Sequence, residues 1–253
     1  MSLSAFALLG GFSVFVGVLI GGVGIGGVLL VPMLTYVFKV DVHVAIAAAM
    51  FSYLFSGLVG ATIYARKRSI QWTMAFWLFL GAMPAAFAGA MTSAMIPPRG
   101  LELLIAILIV LAGANALLTR SDDHRGERMQ KPLALGVIGA VTGFGSALTG
   151  TGGPLLLVPI LVWLKVPALT AVGLSQAIQV PIASLATVGN FIYGSVNMVI
   201  GGVIAVALMI GAAIGARLAH AVSQATLRTV VAWVLVAVGL FIIGRISLHW
   251  AGA

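Results

Sequence analysis

Two glycine clusters interrupt apolar runs in this sequence, Gly24, Gly26 and Gly27 in the first and Gly150, Gly152 and Gly153 in the second. Ser146, Thr149 and Thr151 flank the second cluster. Ser52, Tyr53 and Ser56 lie on the next apolar segment after the first, and Ser175, Gln176 and Gln179 on the corresponding segment after the second. The chemistry this set can perform is anion binding without a buried cation. A helix that resumes after a break presents N–H groups with no intrahelical partner and a partial positive charge of roughly half an elementary charge. Two such helix starts, at Gly27-Val28 and Pro154-Leu155, would converge on one anion, with hydroxyl and amide donors beside them. Pro154 suits a first turn because its missing N–H would have found no partner there. Gln176 and Gln179 share a helical face and would be costly in lipid, so they should face a cavity or another helix. The candidate site is therefore Gly24, Gly26, Gly27, Ser52, Tyr53, Ser146, Thr149, Thr151, Gly152, Gly153, Ser175, Gln176 and Gln179.

The elements that position these residues are duplicated. Gly26-Gly27-Val28-Leu29-Leu30-Val31-Pro32-Met33-Leu34 returns 127 residues later as Gly153-Pro154-Leu155-Leu156-Leu157-Val158-Pro159-Ile160-Leu161, identical at six of nine positions. A Gly-broken apolar segment at matching places in two halves is the mark of a transporter built from structural repeats, with its site at the breaks.

Composition sets the surroundings. The chain is 62% hydrophobic and 7% charged, with a mean hydropathy of +1.21. Its apolar segments run over 3–22, 26–38, 43–65, 72–95 and 101–118, then 133–149, 153–164, 168–193, 198–219 and 228–248. About 20 residues cross a hydrocarbon core of roughly 30 Å, so this reads as an all-α, multi-pass membrane protein. The second segment of each half is short for a crossing at about 1.5 Å per residue, which predicts a Gly-broken helical hairpin opening each half, followed by three transmembrane helices. Residues 1–119 form the first repeat and 133–253 the second, joined by the polar linker 120–132. The start, Met1 to Phe6, lacks the basic region of a signal peptide, so the first apolar run is expected to be retained.

Several other functions are disfavoured. The net charge of +8 sits in short loops, as membrane topology requires, and does not suggest nucleic acid. With no cysteine there is no disulfide, thiolate metal site or thiol catalysis. Gly22 to Gly27 satisfies G-x-G-x-x-G, but the strand and soluble helix of a dinucleotide fold are absent from its context. No catalytic, phosphate-loop or metal motif is present, so neither an enzyme nor a cofactor is expected. Gly17, Gly21, Gly211 and Gly215 read as close-packing glycines, and Asn115 and Asn190 as interhelical hydrogen bonds. Arg217 should snorkel from a helix end. Asp41 should cap a helix start, with proton coupling through Asp41 and His43 as the lesser reading. Glu102 reads as a first-turn carboxylate.

Loop charge chooses between two topologies. If each opening hairpin enters and returns, the halves are inverted, and ten of thirteen Lys and Arg lie inside: Arg66, Lys67, Arg68, Arg120, Arg125, Arg128, Lys131, Lys165, Arg217 and Arg228. If each makes one net crossing, the halves are parallel and only eight lie inside. The positive-inside rule favours inversion.

These two motifs, Gly22-Val23-Gly24-Ile25-Gly26-Gly27-Val28-Leu29-Leu30-Val31-Pro32 and Gly143-Phe144-Gly145-Ser146-Ala147-Leu148-Thr149-Gly150-Thr151-Gly152-Gly153-Pro154, resemble the TauE/SafE family of sulfite and organosulfonate exporter permeases. The resemblance covers nearly the whole chain. It implies a permease of the bacterial inner membrane that moves a small sulfur-containing anion, typically outward, with membrane lipid and that anion as its partners. An uncoupled anion channel with the same site is the alternative.

Inverted halves place both termini outside and the linker inside. In this cysteine-free chain, single cysteines at Ser2 and Ser121 should label from opposite faces of intact cells with an impermeant maleimide; labelling from one face would restore parallel repeats.

Overall fold

In hydrocarbon the backbone can satisfy its own polar groups only as helix or closed barrel, and these apolar runs take the helical solution. A computed structural model describes residues 3–118, 131–194 and 196–221, and these contain helices and no strand. The order is α1 (Leu3–Val23), α2 (Gly27–Val37), α3 (Val42–Arg66), α4 (Trp72–Met95), α5 (Pro98–Leu118), α6 (Pro132–Thr149), α7 (Pro154–Trp163), α8 (Ala168–Tyr193) and α9 (Met198–Leu218). Six of these, α1, α3, α4, α6, α8 and α9, are long and apolar enough to cross a membrane, while α2 and α7 are shorter. The segment 228–248, the linker 120–130 and the side chain of Asn115 lie outside the described residues.

Most boundaries fall within a few residues of those read from the sequence. α5 is the exception. It begins at Pro98, so Glu102 stands beyond the first turn rather than in it, where its carboxylate accepts the Tyr36 hydroxyl at 3.1 Å. Asp41 does cap α3, its Oδ1 accepting the N–H groups of His43 at 2.9 Å and Val44 at 3.4 Å.

The helices pair reciprocally. α1 lies along α9, where Val14 meets Gly211 and Val18 meets Gly215, so the two run in the same sense. α4 lies along α6 in the same way, with Leu78 against Gly139 and Ala82 against Gly143. At the centre α3 and α8 run in opposite senses, since Gln179 reaches Tyr53, Gln176 covers Gly60 and Gly173 meets Tyr64. Phe51 on Gly201 and the Tyr64 ring beside His220 align α9 with α3, and Gly189 against Ala90 joins α8 to α4.

These senses sort the loops into two ends. The α3–α4 loop meets the turn after α9, where Ser69 Oγ and His220 Nε2 are 3.2 Å apart. Arg66, Lys67, Arg68, Lys131, Lys165 and Arg217 share that end. Lys39 and Arg99 lie at the other, with Asp41 and His43.

Glycine makes the α1–α9 contact possible, as expected of Gly17, Gly21, Gly211 and Gly215. A Cβ on Gly17 would lie 2.7 Å from the Leu208 carbonyl, and one on Gly215 would meet the Val18 carbonyl and, at 2.8 Å, the Gly22 nitrogen. Small residues let backbones approach in a membrane, where lipid tails are as apolar as leucine and packing must supply the association. Gly202, on the same helix α9, has nothing within 4 Å of its would-be Cβ. Gly215→Ala should therefore lower stability in detergent by about 1–3 kcal/mol through overpacking. Gly202→Ala should be neutral or raise stability by up to about 1 kcal/mol through helix propensity. Melting curves of both variants check this pair, and equal melting temperatures would remove the close-packing role of Gly215.

Candidate functional site

The first break follows from Gly24, whose φ of +77° ends α1; the chain resumes as a 3₁₀ turn at Gly27 and continues into α2. The second follows from Gly150 at φ +65° and Gly152 at φ +72°, after which α7 begins at Pro154 in its first turn. A side chain with a Cβ is strained at such φ values, which is why these positions are glycine.

The two breaks meet. A Cβ on Gly27 would run into the Thr151 carbonyl and lie 2.9 Å from the Tyr53 hydroxyl. One on Gly24 would touch Val158, Pro154 and, at 3.3 Å, Ser175 Oγ. Gly152 faces the Tyr53 ring, and Gly153 faces Ile178, Ile182 and the backbone of Gln179. Gly24, Gly27, Tyr53, Thr151, Gly152, Gly153, Ser175 and Gln179 thus gather at one place, and every side chain among them is buried.

Polar side chains around the breaks donate to carbonyls. Tyr53 Oη donates to the Gly27 carbonyl at 2.6 Å, Tyr64 Oη to Gly21 at 3.0 Å, Gln176 Nε2 to Ile20 at 2.7 Å and Ser146 Oγ to Gly152 at 2.9 Å. Thr149 Oγ1 donates to Gly145 at 2.7 Å and lies 3.1 Å from Thr151 Oγ1; Ser175 Oγ donates to Val172 at 2.7 Å. By contrast, no side chain caps the start of α2 at Gly26 or of α7 at Gly153. The side chains thus satisfy carbonyls at the end of α1, Ile20 and Gly21, and at the starts of α2 and α7, Gly27 and Gly152, while no side-chain acceptor meets the N–H groups of those two starts. Such an arrangement can accept an anion's oxygens and offers no carboxylate to a cation.

Two candidate residues stand apart. Ser52 Oγ bonds the Ala48 carbonyl at 2.6 Å and the Gly201 carbonyl at 2.9 Å, on the seam with α9. Gly26 packs back on α1, where a Cβ would lie 2.8 Å from Leu19 Cβ and from the Val16 carbonyl. Gln179 joins the halves directly, its Nε2 donating to Tyr53 O at 2.9 Å and Ser56 Oγ at 3.0 Å. Tyr64 is a residue that the sequence candidates omit. Its signal is a phenol just before a charged loop, at the place where the second half carries Tyr193. Asn190, expected in an interhelical hydrogen bond, instead leaves its buried Nδ2 without a partner. Among the described residues no cluster of His, Asp and Glu could hold a metal.

Against known proteins, residues 7–242 match the family described as Sulfite exporter TauE/SafE. The chain belongs to this family. A probable membrane transporter protein of Methanocaldococcus jannaschii is 26% identical over 94% of this chain and 97% of its own length. One of Xylella fastidiosa strain Temecula1 is 28% identical over 99% and 98%, and the Bacillus subtilis probable membrane transporter protein YdhB is 25% identical over 85% and 91%. No solved structure matches the chain. Family membership and six membrane-length helices together make the chain a multi-pass membrane transporter of the TauE/SafE family.

Within this member the amide of Gln179 ties α8 to α3, and a hydrogen bond of this kind contributes about 0.5–1.5 kcal/mol net. Gln179→Leu keeps similar volume, removes two such bonds and should lower the melting temperature by several degrees. An unchanged melting temperature would show that the amide serves something other than this seam.

Proposed function

We propose that this protein is a secondary transporter that moves a small sulfur-containing oxyanion, sulfite or an organosulfonate, out of the cell across the inner membrane. The anion is held where the two helix breaks meet. One observation carries this reading: side chains from both halves occupy the carbonyls of the breaks, while the starts of α2 and α7 stay uncapped. A site that is electropositive without a cationic side chain suits a singly or doubly charged oxyanion. The family description, Sulfite exporter, supports sulfur as the central atom.

The scaffold we propose is a pair of inverted repeats, 1–119 and 133–253, each opening with a Gly-broken hairpin. Support comes from reciprocal packing: α1 on α9 mirrors α6 on α4, and corresponding helices α3 and α8 run in opposite senses. The end that holds Arg66, Lys67, Arg68, Lys131, Lys165 and Arg217 is then cytoplasmic. Alternating access follows from one half rocking against the other around the breaks. The burial of Tyr53, Thr151, Ser175 and Gln179 favours this over an open channel.

Sulfite and ethanesulfonate should each raise the melting temperature of the purified protein, because a ligand at 100 times its Kd adds about 2.7 kcal/mol to stability. Gly153→Val should abolish that rise while keeping the ligand-free melting temperature near wild type. Its Cβ would press on the Ile178 and Ile182 side chains at 3.1 and 3.2 Å and only touch the Gln179 backbone at 3.7 Å, and its own backbone is helical. A normal ligand shift in Gly153→Val would move the anion away from the breaks. Proteoliposome flux coupled to a counter-ion gradient separates the transporter from a channel.

A further inference from the structure

A cavity of about 290 Å³ opens at the end opposite the basic loops, lined by Asp41, His43, Ser93, Asn190, Tyr193 and their neighbours. It lies between the start of α3 and the far ends of α4 and α8. Asn190, only 5% exposed, is one of its lining residues, and the Nδ2 of that side chain is buried with no hydrogen-bond partner. A buried amide donor left unpaired is costly, so an occupant that accepts its bond gains roughly 5- to 150-fold in affinity.

The cavity is continuous in sequence register with the breaks. Along α8, Gln179, Ala183, Thr187 and Asn190 follow one another at steps of four, four and three, which is one helical face. Gln179 Oε1, Thr187 Oγ1 and Asn190 Nδ2 on that face are all buried and unpartnered. No other described helix carries such a row. Asn190 stands eleven residues beyond Gln179, or about 16 Å at 1.5 Å per residue.

We infer that this cavity is the outer station of the transport route, a second, weaker binding site for the same class of oxyanion, joined to the breaks along the Gln179–Thr187–Asn190 face of α8. The inference rests on the transport reading above. Asn190 supplies the donor that meets the anion, with Ser93 beside it. Asp41 does not defeat this, because its Oδ1 is engaged by two N–H groups of α3, its side chain is 56% exposed at the mouth, and water and salt screen it there. One carboxylate near the mouth keeps the station weak, which speeds release to the outside.

The test uses the natural absence of cysteine. Asn190→Cys and Thr187→Cys are made singly in the full chain and treated from the outer face with membrane-impermeant 2-sulfonatoethyl methanethiosulfonate, with ethanesulfonate as the transported probe. The thiol of the Asn190→Cys variant should react, ethanesulfonate should slow that reaction at least threefold, and modification should cut ethanesulfonate flux at least tenfold. The thiol of the Thr187→Cys variant, deeper on the same face, should react at least tenfold more slowly. If the Asn190→Cys variant is inert from the outer face, or reacts with flux unchanged, the cavity is not on the route and the inference falls alone. If the unmodified protein neither binds nor moves sulfite or ethanesulfonate, the transport reading falls first and this inference falls with it.

Discussion

A helix broken inside an apolar interior exposes peptide groups that lipid cannot bond, and everything else in this molecule is arranged around that constraint. Among the described residues the chain breaks twice, at Gly24–Gly26 and Gly150–Gly153, where the two breaks pack on each other and side chains of α3, α6 and α8 donate to their carbonyls. Tyr53 and Tyr64 reach from α3, and Gln176 reaches from α8 to the end of α1. These side chains would be a liability in a hydrophobic helix elsewhere. Here each is buried because a carbonyl waits for it.

The same constraint explains why the halves interlock through small residues. Tyr53 reaches Gly27, and Thr151 packs on Gly27, only if backbones approach closely at the centre. That approach is extended outward by Gly17, Gly21, Gly211 and Gly215 on one side and by Gly81, Gly139 and Gly143 on the other. Among the described residues the side-chain ties between the halves are few: Gln176 to Ile20, Gln179 to Tyr53 and Ser56, Ser52 to Gly201, and Ser69 with His220. At about 0.5–1.5 kcal/mol net each, their sum is a few kcal/mol, the size of gap that ligand binding could overcome in the proposed rocking of the halves.

The breaks, their duplication and the extent of nearly every helix are legible in the sequence, because glycine clusters and apolar run lengths are local signals. So is the packing role of Gly17 and Gly215, from their spacing on a helix. What side chains bond to is not legible. Spacing puts Gln176 and Gln179 on one face, which holds, but nothing local says that their donors end on Ile20 and Tyr53, 156 and 126 residues away. Ser52 is next to Tyr53 in sequence and groups with it there, yet adjacent residues on a helix diverge by about 100°, and its hydroxyl turns to α9. Asn190 has the pattern of a membrane asparagine bonded to a neighbouring helix, yet its Nδ2 is buried without a partner beside a cavity that the residue lines, which no sequence pattern encodes.

The absence of a buried cation among the candidate site residues suits the proposed carrier, which must also return empty. A lysine or arginine at the breaks would bind an oxyanion strongly, but each empty return would leave that charge buried and unpaired, at a cost of several kcal/mol. At the proposed site, backbone N–H groups at the starts of α2 and α7 cost less when vacant, about 1–3 kcal/mol for an unpaired buried donor. Their partial charges are fixed by the helices and are partly offset at the same breaks by carbonyls that Tyr53, Tyr64, Ser146 and Gln176 already occupy. The favourable field appears only for a ligand that brings its own negative charge. On the transport reading proposed above, binding at the breaks is then moderate, and the loaded and empty forms are both tolerable in a dry interior.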